Sequence, residues 1–341
     1  MTLSDAFLTQ AQACAGLGSP FMGRLLNMLA SDWPADTALA NRCGEWTGDI
    51  GPSGASLPLR IAGGLHALVL NGDAPALRAV YPPATVTDAR LREAVLDALA
   101  GHEAFMLNWI ESAPQTNEVG RSAALIAAAH WIAARYRLPF VTSELGASAG
   151  LNLMWDRYAV SHADQRLGPA DAALCLSPDW SGQMPVAMPV TVAERRGVDL
   201  NPLDVQDADQ ALRLFAYLWP DQPHRMNLTR AAIGALNGTV DKADAIDWLE
   251  PRLTSAPVGH IHLIYHTVAW QYFPTEAQAR GTALIEAAGA RATKTRPLAW
   301  LAMENDGDNA GAALTLRLWP EDRRISLGRA DFHGRWIRWD A

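Results

Sequence analysis

The stretch Phe140-Val-Thr-Ser-Glu144-Leu145-Gly146-Ala147-Ser148-Ala149-Gly150-Leu151-Asn152 decides how the chain is read. Leu138-Pro139 marks a boundary ahead of it, and residues 140–145 have the apolar and β-branched content of a buried strand. Small residues follow the strand, and residues 151–158 resume an apolar spacing that predicts a helix. Such a turn lets backbone approach a ligand, and the N–H groups at a helix start favour an anionic or polar partner. Two chemistries compete for these residues. One is a nucleotide-type cradle, E-x-G-x-[small]-x-G. The other is G-x-S-x-G, the nucleophile elbow of α/β-hydrolases, with Ser148 as nucleophile. A turn without any ligand is the third reading.

The residues ahead of the turn weigh against the elbow. Apolar positions recur at helical spacing over residues 3–17, 20–30, 57–70 and 88–110, with a further alanine-rich helix over 119–136. An elbow normally follows several strands and an H-G-G-type oxyanion loop, and the pattern predicts neither here. Its triad partners would have to come from Asp306 or Asp308 and then His333. Residues 1–113 are therefore expected to form a helical cap or lid, and residues 114–341 an α/β domain.

Behind the turn, strands and helices alternate. Strands are expected over 190–200, 239–245, 260–268 and 297–303, with helices over 209–218, 248–253 and 276–288 between them. Residues 314–319 and 332–339 read as closing antiparallel strands. The stretch 159–189 breaks the alternation and is read as an insertion. The fold class is α/β: a Rossmann-like, mostly parallel sheet of about seven strands with helices on both faces.

The strand ends resemble those of class I S-adenosylmethionine-dependent methyltransferases. In that family a strand-end acid precedes the glycine loop, as Glu144 does here, and Arg196-Gly-Val-Asp199-Leu200-Asn-Pro202 matches the end of the second strand. The resemblance implies S-adenosylmethionine as cofactor, held by Glu144, Gly146, Ala147, Ser148 and Gly150, with Asp199 and Leu200 on its ribose side. Asp244 and Ala245, at the third strand end, would contact the adenine. Two departures stand out: Ser148 replaces a glycine, and no helix is evident between Met303 and Leu314. Asp199 could instead simply make a turn. Asp244 could cap the next helix, a role that Asp247 suits better. A likeness covering nearly the whole chain is to a bacterial family known only as a domain of unknown function. It rests on Gln115-Thr-Asn-Glu-Val-Gly-Arg-Ser122, Leu145–Asn152 with its glycine turn, Arg195–Asp204 and Trp270-Gln-Tyr272.

Other polar residues could complete a site. His260, His262 and His266 alternate along the fourth strand, but His262 and His266 would stand roughly 13 Å apart, too far to share an ion, so no metal is expected. His266, at the ligand-facing end, and Tyr272 are the candidate bases for an acceptor that must lose a proton. Asn117, Glu118, Trp270 and Gln271 are candidate substrate contacts, Asn117 being equally suited to capping a helix. Arg121 could pair with the carboxylate of the cofactor's methionine portion.

Composition narrows the partners. Across 341 residues, 28 Lys+Arg against 36 Asp+Glu leave a net charge of −8, which argues against a nucleic-acid coat and for a small-molecule acceptor. Cys14, Cys43 and Cys175 form no C-x-x-C pair, no secretory signal is evident, and the longest apolar run is too short for a membrane span. The expected location is the cytoplasm. The alternatives to methyl transfer are a Ser148 hydrolase and a non-catalytic metabolite-binding protein on the same scaffold.

Overall fold

A computed structural model describes residues 1–308 and 310–341. The chain divides into two compact units, Met1–Thr116 with Asp204–Met226, and Asn117–Leu203 with Asn227–Ala341. The first unit thus takes up a segment from within the second half of the chain.

The first unit is helical, as the spacing predicts. Polar caps set its helix starts: Thr2 and Asp5 form a capping box at Leu3–Gly16, Ser19 accepts from Met22 N at Pro20–Asp32, and Thr87 caps Asp88–Gly101. The helix expected over 88–110 is two helices, Asp88–Gly101 and Glu103–Ile110, broken at His102. Helix Leu57–Asn71 runs through this core with Leu57, Ile61 and Leu65 fully buried. Its Gly63 has no room for a side chain, since a Cβ would lie 2.5 Å from the Tyr217 ring. The ring of His66 is buried beside it, with Nδ1 donating to Ala216 O at 3.1 Å.

The second unit is built on a sheet of nine strands, against the seven expected from sequence. In chain order the strands of this unit are β1 Phe140–Leu145, β2 Tyr158–His162, β3 Gln165–Leu167, β4 Leu174–Leu176, β5 Asp179–Ser181, β6 Val192–Asp199, β7 Thr239–Lys242, β8 Ile261–Thr267, β9 Leu298–Glu304, β10 Ala312–Trp319, β11 Arg323–Ala330 and β12 Trp336–Trp339. The large sheet has the order β5-β12-β11-β10-β9-β8-β1-β6-β7. Its β9-β8-β1-β6-β7 portion is parallel throughout. β1 and β8 are buried along their whole length, as strands covered on both faces must be.

The chain leaves β1 for β6 and β7 on one side, then returns past β1 to build β8 and β9 on the other. The order of connection reverses between β1 and β8, and in open α/β sheets ligands bind outside the carboxyl ends of the strands at such a point.

Three local expectations are corrected. Residues 151–157 form a 3₁₀ helix rather than an α-helix and lead directly into β2. The insertion holds a small sheet, β3-β2-β4, and also supplies β5 to the edge of the large one. β11 was not expected, and β12 covers only the end of the strand read over 332–339. As the sequence reads, β10 pairs antiparallel with β9, with no intervening helix among the described residues. Among those residues no helix is long and apolar enough to cross a membrane.

Candidate functional site

The glycine turn lies at the carboxyl end of β1, and it is stitched to the next strand. Gly146 N and Ala147 N both donate to Val198 O, at 2.9 and 3.0 Å, and Gly150 N donates to Ala147 O at 2.8 Å. Ser148 N donates to Asp199 Oδ2 at 2.8 Å, while Asn201 N donates to Asp199 Oδ1 at 2.9 Å. Asp199 therefore holds the turn in place. A carboxylate has about four acceptor positions, so these two amides leave it capacity for another donor. Leu200, the next residue, is 64 % exposed.

The turn requires its glycines. Gly146 and Gly150 have φ of +74° and +77°, and a Cβ on Gly146 would meet Ala269 Cβ at 2.5 Å. Ser148 takes φ +53° without being glycine, and its buried Oγ has no hydrogen-bond partner. Val268, at the end of β8, is a β-branched residue at φ +54°. Backbone strain of this kind tends to gather at ligand-binding edges.

Beneath the turn lies a buried polar network that joins three segments. Asn117 Oδ1 accepts from Leu151 N at 2.8 Å, Ser122 Oγ donates to Asn152 Oδ1 at 2.7 Å, and Asn152 Nδ2 donates to Glu118 O at 3.2 Å. Tyr265 Oη, on β8, lies 3.3 Å from Glu144 Oε2 and 3.2 Å from Asn152 O. Glu144 is 1 % exposed. Burial pushes its carboxyl well above the ordinary carboxylate range, the Tyr265 hydroxyl only partly offsetting this. Arg121 donates through Nε to Phe332 O and through NH1 to Thr267 O, both at 2.9 Å, and so ties the end of β8 to a C-terminal loop.

A second carboxyl, Glu304, organises the loop after β8. Its Oε1 accepts from His266 Nδ1 at 2.7 Å, from Ala269 N at 3.0 Å and from Trp270 N at 3.1 Å. Gln271 N reaches Oε2 at 3.4 Å. Trp300 Nε1 can only donate, and it lies 2.9 Å from His266 Nε2, so the proton of a neutral His266 sits on Nδ1. Trp270 stacks on the same ring with centroids 4.9 Å apart. His266 thus has both nitrogens occupied, and the geometry gives it a positioning task rather than that of a free base. Tyr272, 65 % exposed in the turn Trp270–Tyr272, is open to solvent.

Two further sequence candidates lie just after β7, where the sequence put them, and Ala243 N beside them donates to Asp199 O at 3.2 Å. Asp244, not Asp247, caps helix Ala245–Ser255, accepting from Ile246 N at 2.9 Å and Asp247 N at 3.0 Å. Ala245 is the buried first residue of that helix. Both follow β7, separated from β1 by β6. His262 points its Nε2 at Ser143 Oγ, 2.9 Å away, so the alternating histidines converge on nothing. Sequence reasoning passed over Glu304, Tyr265, Asn152 and Ser122. Glu304 left a signal as an acid ending a strand, as Glu144 does, and Ser122 and Asn152 lay within the blocks that carry the family likeness.

Fold and site together define a Rossmann-like α/β protein with a strained glycine turn at the switch point of its sheet. The chain belongs to the family described as "Uncharacterized protein conserved in bacteria (DUF2332)", which it matches over residues 4–339. No curated protein and no solved structure matches it.

Proposed function

We propose that the protein binds S-adenosylmethionine over the glycine turn and transfers its methyl group to a small-molecule acceptor. The observation that carries this reading is the turn's position at the β1/β8 switch point, with Asp199 of the neighbouring strand bound to its central amide. The residues fit the cofactor in three respects. The positive-φ glycines keep side chains off the approach to the backbone. The Ser148 hydroxyl is buried and lacks a partner. Glu144 is a buried carboxyl held toward its neutral form, and a cationic ligand beside it would favour its ionised form.

Gly146, Ala147, Ser148 and Gly150 would hold the methionine portion of the cofactor, and Asp199 the ribose, with Leu200 as an apolar neighbour. The bound cofactor supplies an electrophilic methyl carbon. The chain's task is then to align the acceptor and exclude water. Glu304 fixes the loop 269–271, which brings Trp270 and Gln271 to the same edge of the sheet, and exposed Tyr272 is the one candidate base there with an unoccupied hydroxyl. The net charge of −8 favours a small acceptor over a nucleic acid.

Calorimetric titration of ligand-free protein with S-adenosylmethionine and S-adenosylhomocysteine tests the reading. Saturable binding is expected, weakened about tenfold in Asp199→Ala through loss of a charged hydrogen bond. No heat and no thermal shift at millimolar cofactor would overturn it. Binding with no methyl transfer to any acceptor would leave a metabolite-binding protein on this scaffold.

Hydrolysis by Ser148 is a second reading, favoured by its φ of +53° and unpartnered Oγ in a G-x-S-x-G turn. Against it, no histidine hydrogen-bonds that hydroxyl among the described residues, and Asp306 is engaged by both Arg329 NH1 and NH2. A fluorophosphonate probe that leaves Ser148 unlabelled would exclude it.

A further inference from the structure

The opposite, amino-terminal edge of the sheet carries a cleft of about 200 Å³ where β8 and β9 begin. Leu253, Ala288, Ala292 and Leu298 give it an apolar wall, and His262, Arg291 and Arg296 line it as well. His262 is 2 % exposed, and its Nδ1 has no hydrogen-bond partner.

The protonation of His262 follows from its neighbours. Arg252 Nε can only donate, and it donates to Ser143 Oγ at 2.8 Å. The serine hydrogen is used only if it is given to His262 Nε2, 2.9 Å away. That arrangement satisfies both groups and leaves the imidazole proton on Nδ1, a buried donor with nothing to receive it. Burial, with Arg252 adding to it, pushes the ring's pKa down to about 3, so it stays neutral. An unsatisfied buried donor is costly, and natural proteins rarely keep one without a use.

The charges around the cleft have the matching sign. Arg291, Lys294 and Arg296 fall within one six-residue segment that contains no acid, in a chain whose net charge is −8. The acids on the flanking elements are committed elsewhere: Glu194 pairs with Arg252, and Glu286 with Arg317 and Arg324. The helices Ala245–Ser255 and Thr275–Gly289 end near this cleft, and their carbonyl termini oppose an anion. Full guanidinium charges outweigh such partial ones.

We infer that this cleft is a binding site for a small phosphate-bearing molecule, its oxyanion held by Arg291, Arg296 and the His262 Nδ1–H and its apolar body against Leu253 and Leu298. The site is independent of the glycine turn and of the methyl-transfer reading. Arginine forks and a neutral N–H donor suit a tetrahedral oxyanion, and the apolar wall distinguishes an organic phosphate from the free ion.

Calorimetry with phenyl phosphate and with inorganic phosphate, at constant ionic strength set with chloride, tests this. Phenyl phosphate is expected to saturate and to bind several-fold more tightly than inorganic phosphate. Arg291→Gln and Arg296→Gln should each weaken it about tenfold, the cost of a charge-assisted bond. In the unsubstituted protein the ¹⁵N resonance of His262 Nδ1 should move with the same titration. Unchanged binding by Arg291→Gln and Arg296→Gln, a chloride effect of the same size, or an unmoved Nδ1 resonance would overturn the proposal.

Discussion

Glu144 and Glu304 end strands on either side of β8, and their surroundings push them in opposite directions. Burial raises the Glu144 carboxyl well above its ordinary value of 4.5. Burial acts on Glu304 too, but the His266 bond and the amides of Ala269 and Trp270 outweigh it and leave that carboxyl below 4.5. Their linkage to stability has opposite signs. For Glu304, stability is fully present above the unfolded value and is lost as pH falls through the folded one. For Glu144, the folded state keeps a proton that the unfolded chain has released, so stability falls as pH rises from the unfolded value toward the folded one. That slope is about 1.4 kcal/mol per pH unit. Glu144→Gln preserves the shape and an acceptor for Tyr265, so it should remove the slope. Urea unfolding at pH 5 and pH 8 checks this: the variant should gain stability relative to the parent as pH rises. A constant difference between the two proteins would mean that Glu144 is ionised in the fold.

The turn between β1 and the 3₁₀ helix Leu151–Arg157 shows what could and could not be read from the chain. Its place after a strand was legible because a buried apolar run, then glycines, leaves few alternatives. The parallel strands β8 and β9 were legible as apolar runs, and β6, interrupted by Glu194, Arg195 and Arg196, through its place in the alternation of strands and helices. β11 was not: Arg323-Arg-Ile-Ser-Leu-Gly-Arg-Ala330 has two arginines at its start and a glycine inside. Only pairing with β10 and β12 makes it a strand. The helix expected over 151–158 is present as the 3₁₀ helix Leu151–Arg157; its type was not legible because residues 151–155 are all buried, so their spacing marks no single face. Partnerships such as Tyr265 with Asn152, or Glu304 with the loop after β8, join distant positions and leave no local pattern. Gly150 is the sharpest test of the turn as a rigid element. Its φ is +77°, and a Cβ would meet Val240 Cγ2 at 2.7 Å. Gly150→Ala should cost about 1–3 kcal/mol, combining backbone strain with overpacking. Chemical denaturation measures the loss, and a neutral result would show that the turn relaxes without cost.

At the scale of the whole chain, each unit keeps neutral histidine in its interior. His66, in the first unit, has its pKa pushed down to about 4, mainly by burial. His262, in the second, is pushed down to about 3, and burial lowers His130 as well. Below the unfolded value of 6.5 the unfolded chain takes up protons that these buried rings refuse. Stability is therefore full above 6.5 and is lost as pH falls toward the folded values, by about 1.4 kcal/mol per unit for each ring. The two units differ in what opposes this. In the second unit, Glu144 contributes with the reverse sign over the same range, because acid relieves the cost of its burial. The first unit has no such buried acid with a raised pKa among the described residues. Acidification from pH 7.5 to 5.5 should therefore weaken the first unit through His66, with no raised buried carboxyl among its described residues to offset the loss. Hydrogen exchange read by mass spectrometry, corrected for the intrinsic effect of pH, resolves the two. Amides of helix Leu57–Asn71 should lose protection on acidification, and His66→Asn, which keeps an N–H near the place of Nδ1, should abolish that loss. Equal protection of this helix at both pH values in the parent would show that His66 does not govern the first unit's response to acid.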